Sequence, residues 1–270
     1  MYLCAFGMDY YWVNECRTRK PLRYSDFNLS NELRQNADAL KETADWIGTS
    51  KERLNKYITH DCDGIITGLY EYWVCYQPLF PHKTIFIPFP IRMPSPPASI
   101  SPVGQKVKIF IGINKSRHAY KGTDVLLAAA LRLVEKHTVE VELVKAESVP
   151  FAEYQQLMDG CDLILDQLYS YTPSMNPLLA MSKGIVCVGG GEPEGYELLN
   201  EMHLRPIINV LPDVEDVYRQ LEEAIADKER LMQRKHESVD YVAKHHDYVK
   251  VAQQYVELYT ADLSDNAPPE

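Results

Sequence analysis

The chain has 270 residues, 46% of them hydrophobic and 24% charged, the profile of an ordinary folded protein with room for two small domains or one large one. Its 28 basic and 38 acidic residues leave a formal charge of −10, which argues against nucleic acid as a partner, because neutralising phosphates needs a basic surface. No apolar run approaches the roughly 18 residues of a membrane span, and the amino terminus lacks the basic start, apolar run and small-residue site of a secretory signal. Any membrane association is therefore expected to be peripheral at most.

The first part of the chain is thin in regular signals. Residues 31–57 read as mixed helix and loop, and GIITG at 64–68 and TIFIP at 84–88 read as short strands. A complete doubly wound domain carries five or six strands, so residues 1–92 read as a reduced lobe. The proline- and serine-rich stretch over 93–104 has no usable period and reads as an extended linker. From residue 105 the chain alternates. Strands are expected at 106–113, 139–144, 161–166, 184–189 and 206–210. Helices are expected at 123–136, with Thr123 as N-cap, and at 151–158, 174–181 and 194–201. Strands alternating with helices point to parallel βαβ units, and near-continuous apolar strands fit a sheet covered on both faces. The fold class is therefore α/β, with a Rossmann-like parallel sheet over 105–236. Two long helices are expected at 214–234 and 237–259, followed by a frayed tail.

Cys4, Cys16, Cys62, Cys75, Cys161 and Cys187 form no C-x-x-C pair, so neither a zinc knuckle nor a disulfide framework is indicated, and a reducing cytoplasm suits them. Cys161 and Cys187 lie in apolar runs and read as core thiols.

Ligands of open α/β sheets bind beyond the carboxyl ends of the strands, a rule that selects three loops. GINKSRHAYKG (112–122) concentrates Lys115, Arg117 and Lys121 between a strand and a helix, a place where cations and helix amides can hold a phosphate; a solvated basic turn is the bland alternative. DQLYSYTPSMNP (166–177) offers Thr172 and Ser174 as caps and a second set of helix amides facing the first. GGGEPEGYE (189–197) lets a ligand approach the backbone closely. Asp61 and Asp63 form a D-x-D, read as a solvated acidic turn at the amino end of a strand. His245 and His246 are adjacent on a helix and point apart, unlike a metal pair. There is no G-x-S-x-G elbow and no P-loop.

Several pieces in order resemble the nucleotide-sugar-binding domain of GT-B-fold glycosyltransferases of the retaining, group 1 type. INKSRHAYKGTDVLLAAALRLVEKH is similar to that family's G-R-x-x-x-K-G-x-x-x-L-L-x-A unit, YQQLMDGCDLILDQ to its Y-x-x-A-D strand, and LLAMSKGIVCVGGGEPEG to its run ending in G-G-x-P-E. YVAKHHDYVKVAQQYVELYTA resembles its C-terminal helix, which would cross back to the first lobe over 237–262. GIITGLYEYW and KTIFIPFPI resemble the end of its first domain.

The resemblance implies a metal-independent, retaining hexosyltransferase-like enzyme of polysaccharide biosynthesis, with a nucleotide sugar as co-substrate, no other cofactor, and a glycan or lipid-linked acceptor. It puts Arg117, Lys121 and the amides of Ser174 and Met175 on the donor diphosphate. It puts Tyr171, Thr172, Gly190, Gly191, Glu192 and Glu194 near the nucleotide or sugar, and it assigns no catalytic residue. Two departures stand out. The family's paired glutamates align with Tyr171 and Leu179, and a leucine cannot hold ribose hydroxyls. The front of the first domain is absent, so the chain reads as amino-terminally shortened. The alternatives are a non-catalytic GT-B-like binding or partner protein and a truncated, inactive transferase. A short lobe also exposes a sheet edge that a second copy of the chain could cover.

Overall fold

The computed structural model describes residues 1–95, 99–114 and 118–265. Part of the expected linker (96–98), the predicted phosphate ligand Arg117 with Lys115, and the last five residues of the expected tail lie outside them. From the amino terminus the elements are β1 (Tyr2–Ala5), α1 (Tyr10–Arg17), the antiparallel pair β2 (Asn28–Leu29) and β3 (Glu32–Leu33), α2 (Ala37–Trp46), α3 (Ser50–Asp61), β4 (Gly64–Thr67), α4 (Tyr70–Tyr76) and β5 (Thr84–Phe86). The strands at 64 and 84 are where the apolar runs predict them, and the mixed stretch over 31–57 resolves into β3, α2 and the start of α3. β1 carries no pattern of its own; it exists because Tyr2–Ala5 pairs in register with all of β4, giving a parallel sheet in the order β1-β4-β5. Asp9 starts α1 by accepting the Trp12 amide at 2.8 Å, and the same carboxylate accepts the Tyr76 hydroxyl at 2.8 Å. Burial pushes Asp9 up to about 6 against those bonds.

The second lobe continues with β6 (Val107–Ile113), α5 (His118–Lys121), α6 (Thr123–Lys136), β7 (Val141–Glu147), α7 (Phe151–Met158), β8 (Leu163–Leu165), α8 (Met175–Ser182), β9 (Val186–Gly189), α9 (Pro193–Leu198), β10 (Ile208–Asn209), α10 (Val214–Ala226), α11 (Lys228–His245) and α12 (Tyr248–Asp265). Five of its strands form one parallel sheet in the order β10-β9-β8-β6-β7, the Rossmann-like architecture that the alternation predicts. Period-two alternation splits each strand between two faces. Ile109, Ile111, Leu163, Leu165 and Val188 meet Leu126, Ala129 and Leu133 of α6 and Val217 and Leu221 of α10. Phe110, Ile164 and Cys187 meet Leu178 and Met181 of α8 and Tyr241 and Val242 of α11. Both faces are dry, which is why these strands read as unbroken apolar runs. Cys161 and Cys187 are buried in this core, and all six cysteines are unpaired.

Three expectations fail for identifiable reasons. Thr123 is not the N-cap of α6. Gly122 takes that place at φ 73°, so the chain can turn from α5 into α6 against Leu168, where a Cβ would come within 2.7 Å. The strand expected at 139–144 lies at Val141–Glu147, because 137–140 is spent on a turn and the strand pairs with β6 along its whole length. The two long helices over 214–259 are three. Asp227 caps a fresh helix by accepting the Arg230 amide at 2.8 Å. A second break follows His246, where Ile91 donates its amide to the His246 carbonyl and accepts from Tyr248.

That second break is where the chain passes between the lobes. α12 lies on the first sheet, with Val251 packed against Ile66 and Ile87 and with Tyr255 and Leu258 alongside. His246 is buried there with its Nδ1 at 2.9 Å from the Phe89 carbonyl, and burial holds its imidazole down at about 4. The opposite face of the first sheet packs Ile65 against Trp12, Val13, Phe27 and Tyr76. No helix among the described residues is long and apolar enough to cross a membrane.

Candidate functional site

Because β9, β8 and β6 are neighbours, the three loops leaving their carboxyl ends stand side by side and face the first lobe. The Lys121 carbonyl accepts the Leu168 amide at 3.0 Å, which ties the first loop to the second. The Lys121 side chain lines a cavity of about 390 Å³ together with Asn114, Thr123, Ser148, Asp166, Gln167 and Asn176. Burial raises the Asp166 carboxyl above its ordinary range, opposed by the charge of Lys121 and by the Gln167 amide.

A second cavity of about 310 Å³ shares Gln167 and Asn176 with the first and opens towards the first lobe. Ser174 and Met175 line it from the start of α8; Trp12, Asp26, Glu71 and Tyr72 line it from the other side. Ser174 is the N-cap residue of α8, yet its hydroxyl caps no amide. The amides of Met175 and Asn176 are therefore not claimed by a side-chain cap, and Pro177 has none to offer. So Lys121 borders one cavity and the Ser174–Met175 turn borders its neighbour, the two cavities sharing Gln167 and Asn176. The first cavity carries a cation on its wall, and the second carries the positive end of a helix.

The remaining expected residues are placed differently. Tyr171 is buried in the aromatic core of the first lobe, its ring 5.8 Å from that of Tyr70 and 5.0 Å from that of Tyr24. Its hydroxyl accepts the Arg23 amide at 2.8 Å. The Tyr171 amide donates to Glu71, as do the amide and hydroxyl of Thr172. Glu192 is 3% exposed; it pairs with Arg23 at 2.5 Å and accepts the Tyr24 hydroxyl. Burial and the Glu192 carboxylate both push that Tyr24 hydroxyl upward, so Tyr24 stays a neutral donor. Glu194 stands 4.0 Å from the same Arg23. Gly191 donates its amide to the Asn209 side chain. Leu179 packs into the core beneath α8 and offers no acceptor.

Gly190 is required by the protein's own backbone. A Cβ there would lie 2.6 Å from the Ser170 carbonyl carbon and 3.0 Å from that of Tyr171. Gly190→Ala is expected to push these two loops apart and cost about 2–3 kcal/mol, measured by urea denaturation; an unchanged midpoint would contradict the contact.

Sequence reading missed Arg23, Arg34, Glu71, Asp166 and Gln167. Asp166 and Gln167 lie inside a loop already singled out. The other three carry no local signal, because their partners are some 85 to 169 positions away.

No protein-family model and no curated protein matches the chain. Solved structures do match in fold. Anabaena HepE, crystallised with UDP and glucose, superposes with a TM-score of 0.58 at 13% identity, over 78% of this chain and 67% of HepE. Sucrose-phosphate synthase from Thermosynechococcus elongatus gives 0.60 at 12% identity, over 97% and 68%. S. aureus TarM, crystallised as a mutant with Fondaparinux, alpha-GlcNAc-glycerol and UDP, gives 0.59 at 10% identity, over 78% and 46%. The chain thus spans about two thirds of HepE and less than half of TarM. These neighbours are GT-B glycosyltransferases, and the α/β architecture here is theirs.

Proposed function

We propose that this chain transfers a glycosyl group from a nucleoside-diphosphate sugar to a glycan or lipid-linked acceptor, with retention and without a metal ion. One observation carries the reading. Lys121 and the uncapped start of α8 border adjacent cavities at the carboxyl edge of the sheet, in a fold whose solved neighbours include proteins crystallised with UDP. When the bond from the anomeric carbon to the phosphate oxygen breaks, its electron pair stays on the diphosphate. A fixed ammonium and helix amides stabilise that growing charge more than they stabilise the intact donor. Ser174, Met175 and Lys121 hold the diphosphate in this reading, with Arg117 as its further cation, and the acceptor enters from the Trp12 and Tyr72 side. The ribose is held by groups other than position 179.

Titration calorimetry of the purified chain with UDP, GDP and ADP tests this. Micromolar binding of one nucleoside diphosphate is the expected result, and no binding of any of the three would sink the reading. A second reading, a GT-B-like binding protein without turnover, is favoured by one feature: Glu192 and Thr172, expected to meet the substrate, are bonded to the first lobe instead. Release of free sugar or UDP from a nucleotide-sugar panel separates the two.

A further inference from the structure

The loop that carries Lys121 is gripped from the other lobe. Arg34 directly follows β3. Its Nη2 donates to the Ala119 carbonyl at 2.7 Å, and its Nη1 donates to the Tyr120 carbonyl at 3.0 Å. Ala119 and Tyr120 are the two residues immediately before Lys121. The same Nη1 reaches the Ser25 and Asp26 carbonyls at 3.2 and 3.3 Å, so one guanidinium joins carbonyls of both lobes. Its carbon lies 3.5 Å from the centroid of the Tyr169 ring, which belongs to the loop after β8. Tyr120 adds a bond of its own, its hydroxyl donating to Asp26 at 2.8 Å. Glu71 makes the complementary contact on the second loop. It accepts from the Ser170 hydroxyl at 2.6 Å, the Tyr171 amide at 2.6 Å, the Thr172 amide at 3.0 Å and the Thr172 hydroxyl at 2.5 Å.

The signs are matched to the backbone. A cation from the first lobe binds the carbonyl side of the Lys121 loop, and an anion from the first lobe binds the amide side of the loop leading to Ser174. Arg34 is absent from the walls of the cavity that Lys121 lines, and its donors are committed to carbonyls. We propose that Arg34 is a positioning residue for the diphosphate site: the first lobe, through its guanidinium fork, sets where Lys121 points. The proposal rests on the reading of the cleft as a diphosphate site.

A planar fork spanning four carbonyls and stacking on a ring cannot be replaced by an ammonium, which has neither the reach nor the face. Calorimetry with UDP on the full chain is the test. Arg34→Ala is expected to weaken binding by about 10-fold. Arg34→Lys, which keeps the charge, should lose nearly as much, and added methylguanidinium should restore UDP binding to Arg34→Ala while doing nothing for Lys121→Ala. If Arg34→Ala unfolds, Arg34→Lys carries the test in the same UDP titration, with the same loss expected. UDP binding within twofold of wild type in Arg34→Ala, or full retention in Arg34→Lys, overturns the positioning role and leaves the diphosphate site standing. Failure of the wild-type chain to bind any of UDP, GDP, ADP and pyrophosphate overturns both.

Discussion

Replacing Lys121 with alanine is expected to weaken UDP binding by about 10- to 100-fold, the worth of one charge-assisted contact to phosphate in a partly desolvated cleft. The side chain stands on a wall shared with Asp166, so the net field on an anion is set by both. Asp166→Asn should therefore act in the opposite direction and tighten UDP at pH 8. Burial raises the Asp166 carboxyl, which means the folded chain holds that proton to higher pH than the unfolded chain does. Ionised Asp166 is destabilising. Its unfavourable contribution is complete above the raised value, shrinks as pH falls below it, and is gone below the ordinary value of 3.8. The advantage of Asp166→Asn in UDP affinity should shrink along the same fall in pH, and the variant should melt higher than wild type at neutral pH. Equal affinities for Lys121→Ala and wild type, with Asp166→Asn also neutral, would mean the diphosphate does not sit in this cavity.

Loss of Glu201 is expected to be strongly destabilising, on the order of 3 kcal/mol or more. The carboxylate is fully buried where α9 runs towards α11. It accepts from Lys244 at 2.6 Å, from His245 at 2.6 Å, and from the His203 and Leu204 amides at 2.9 Å each. Removing it takes the partner from His245 and from the His203 and Leu204 amides, whereas removing Lys244, whose side chain is half exposed, leaves those three bonds in place. Glu201→Ala should therefore unfold at far lower urea than Lys244→Ala.

The pH dependence follows from the same contacts. Burial alone would raise the Glu201 carboxyl, but Lys244, His245 and the two amides outweigh it and hold it well below the carboxylate range. A depressed carboxyl contributes stability above its unfolded value near 4.5 and loses it as pH falls towards the folded value. Wild type should lose more stability than Glu201→Gln between pH 5 and pH 2, and parallel curves would refute this assignment.

Much of the second lobe could be read before any coordinates, and the reason is local. Ile109, Phe110 and Ile111 alternate between faces because a strand has a period of two. Leu126, Ala129, Ala130 and Leu133 line one side of α6 because a helix has a period of 3.6. The cation-bearing turn at Lys121 and the small-residue turn at Gly190 are legible because each is a local cluster, of charge or of glycine, at the carboxyl end of a strand. Element ends were less legible. Asp227 breaks a continuous helical pattern without glycine or proline, and the stop at His246 depends on Ile91, more than 150 positions earlier.

The sequence alone determined the α/β class, the parallel sheet and the loops at its carboxyl edge, because backbone periodicity is complete within a dozen residues. Which of those loops remain open to a ligand was decided only in three dimensions. Glu192 and Thr172 have the chemistry to meet a sugar but are bonded to Arg23, Tyr24 and Glu71, and the Lys121 turn is held by Arg34. Those partners come from a different lobe, and their pairing follows from how the two sheets are set against each other, a relation that no contiguous stretch of chain contains.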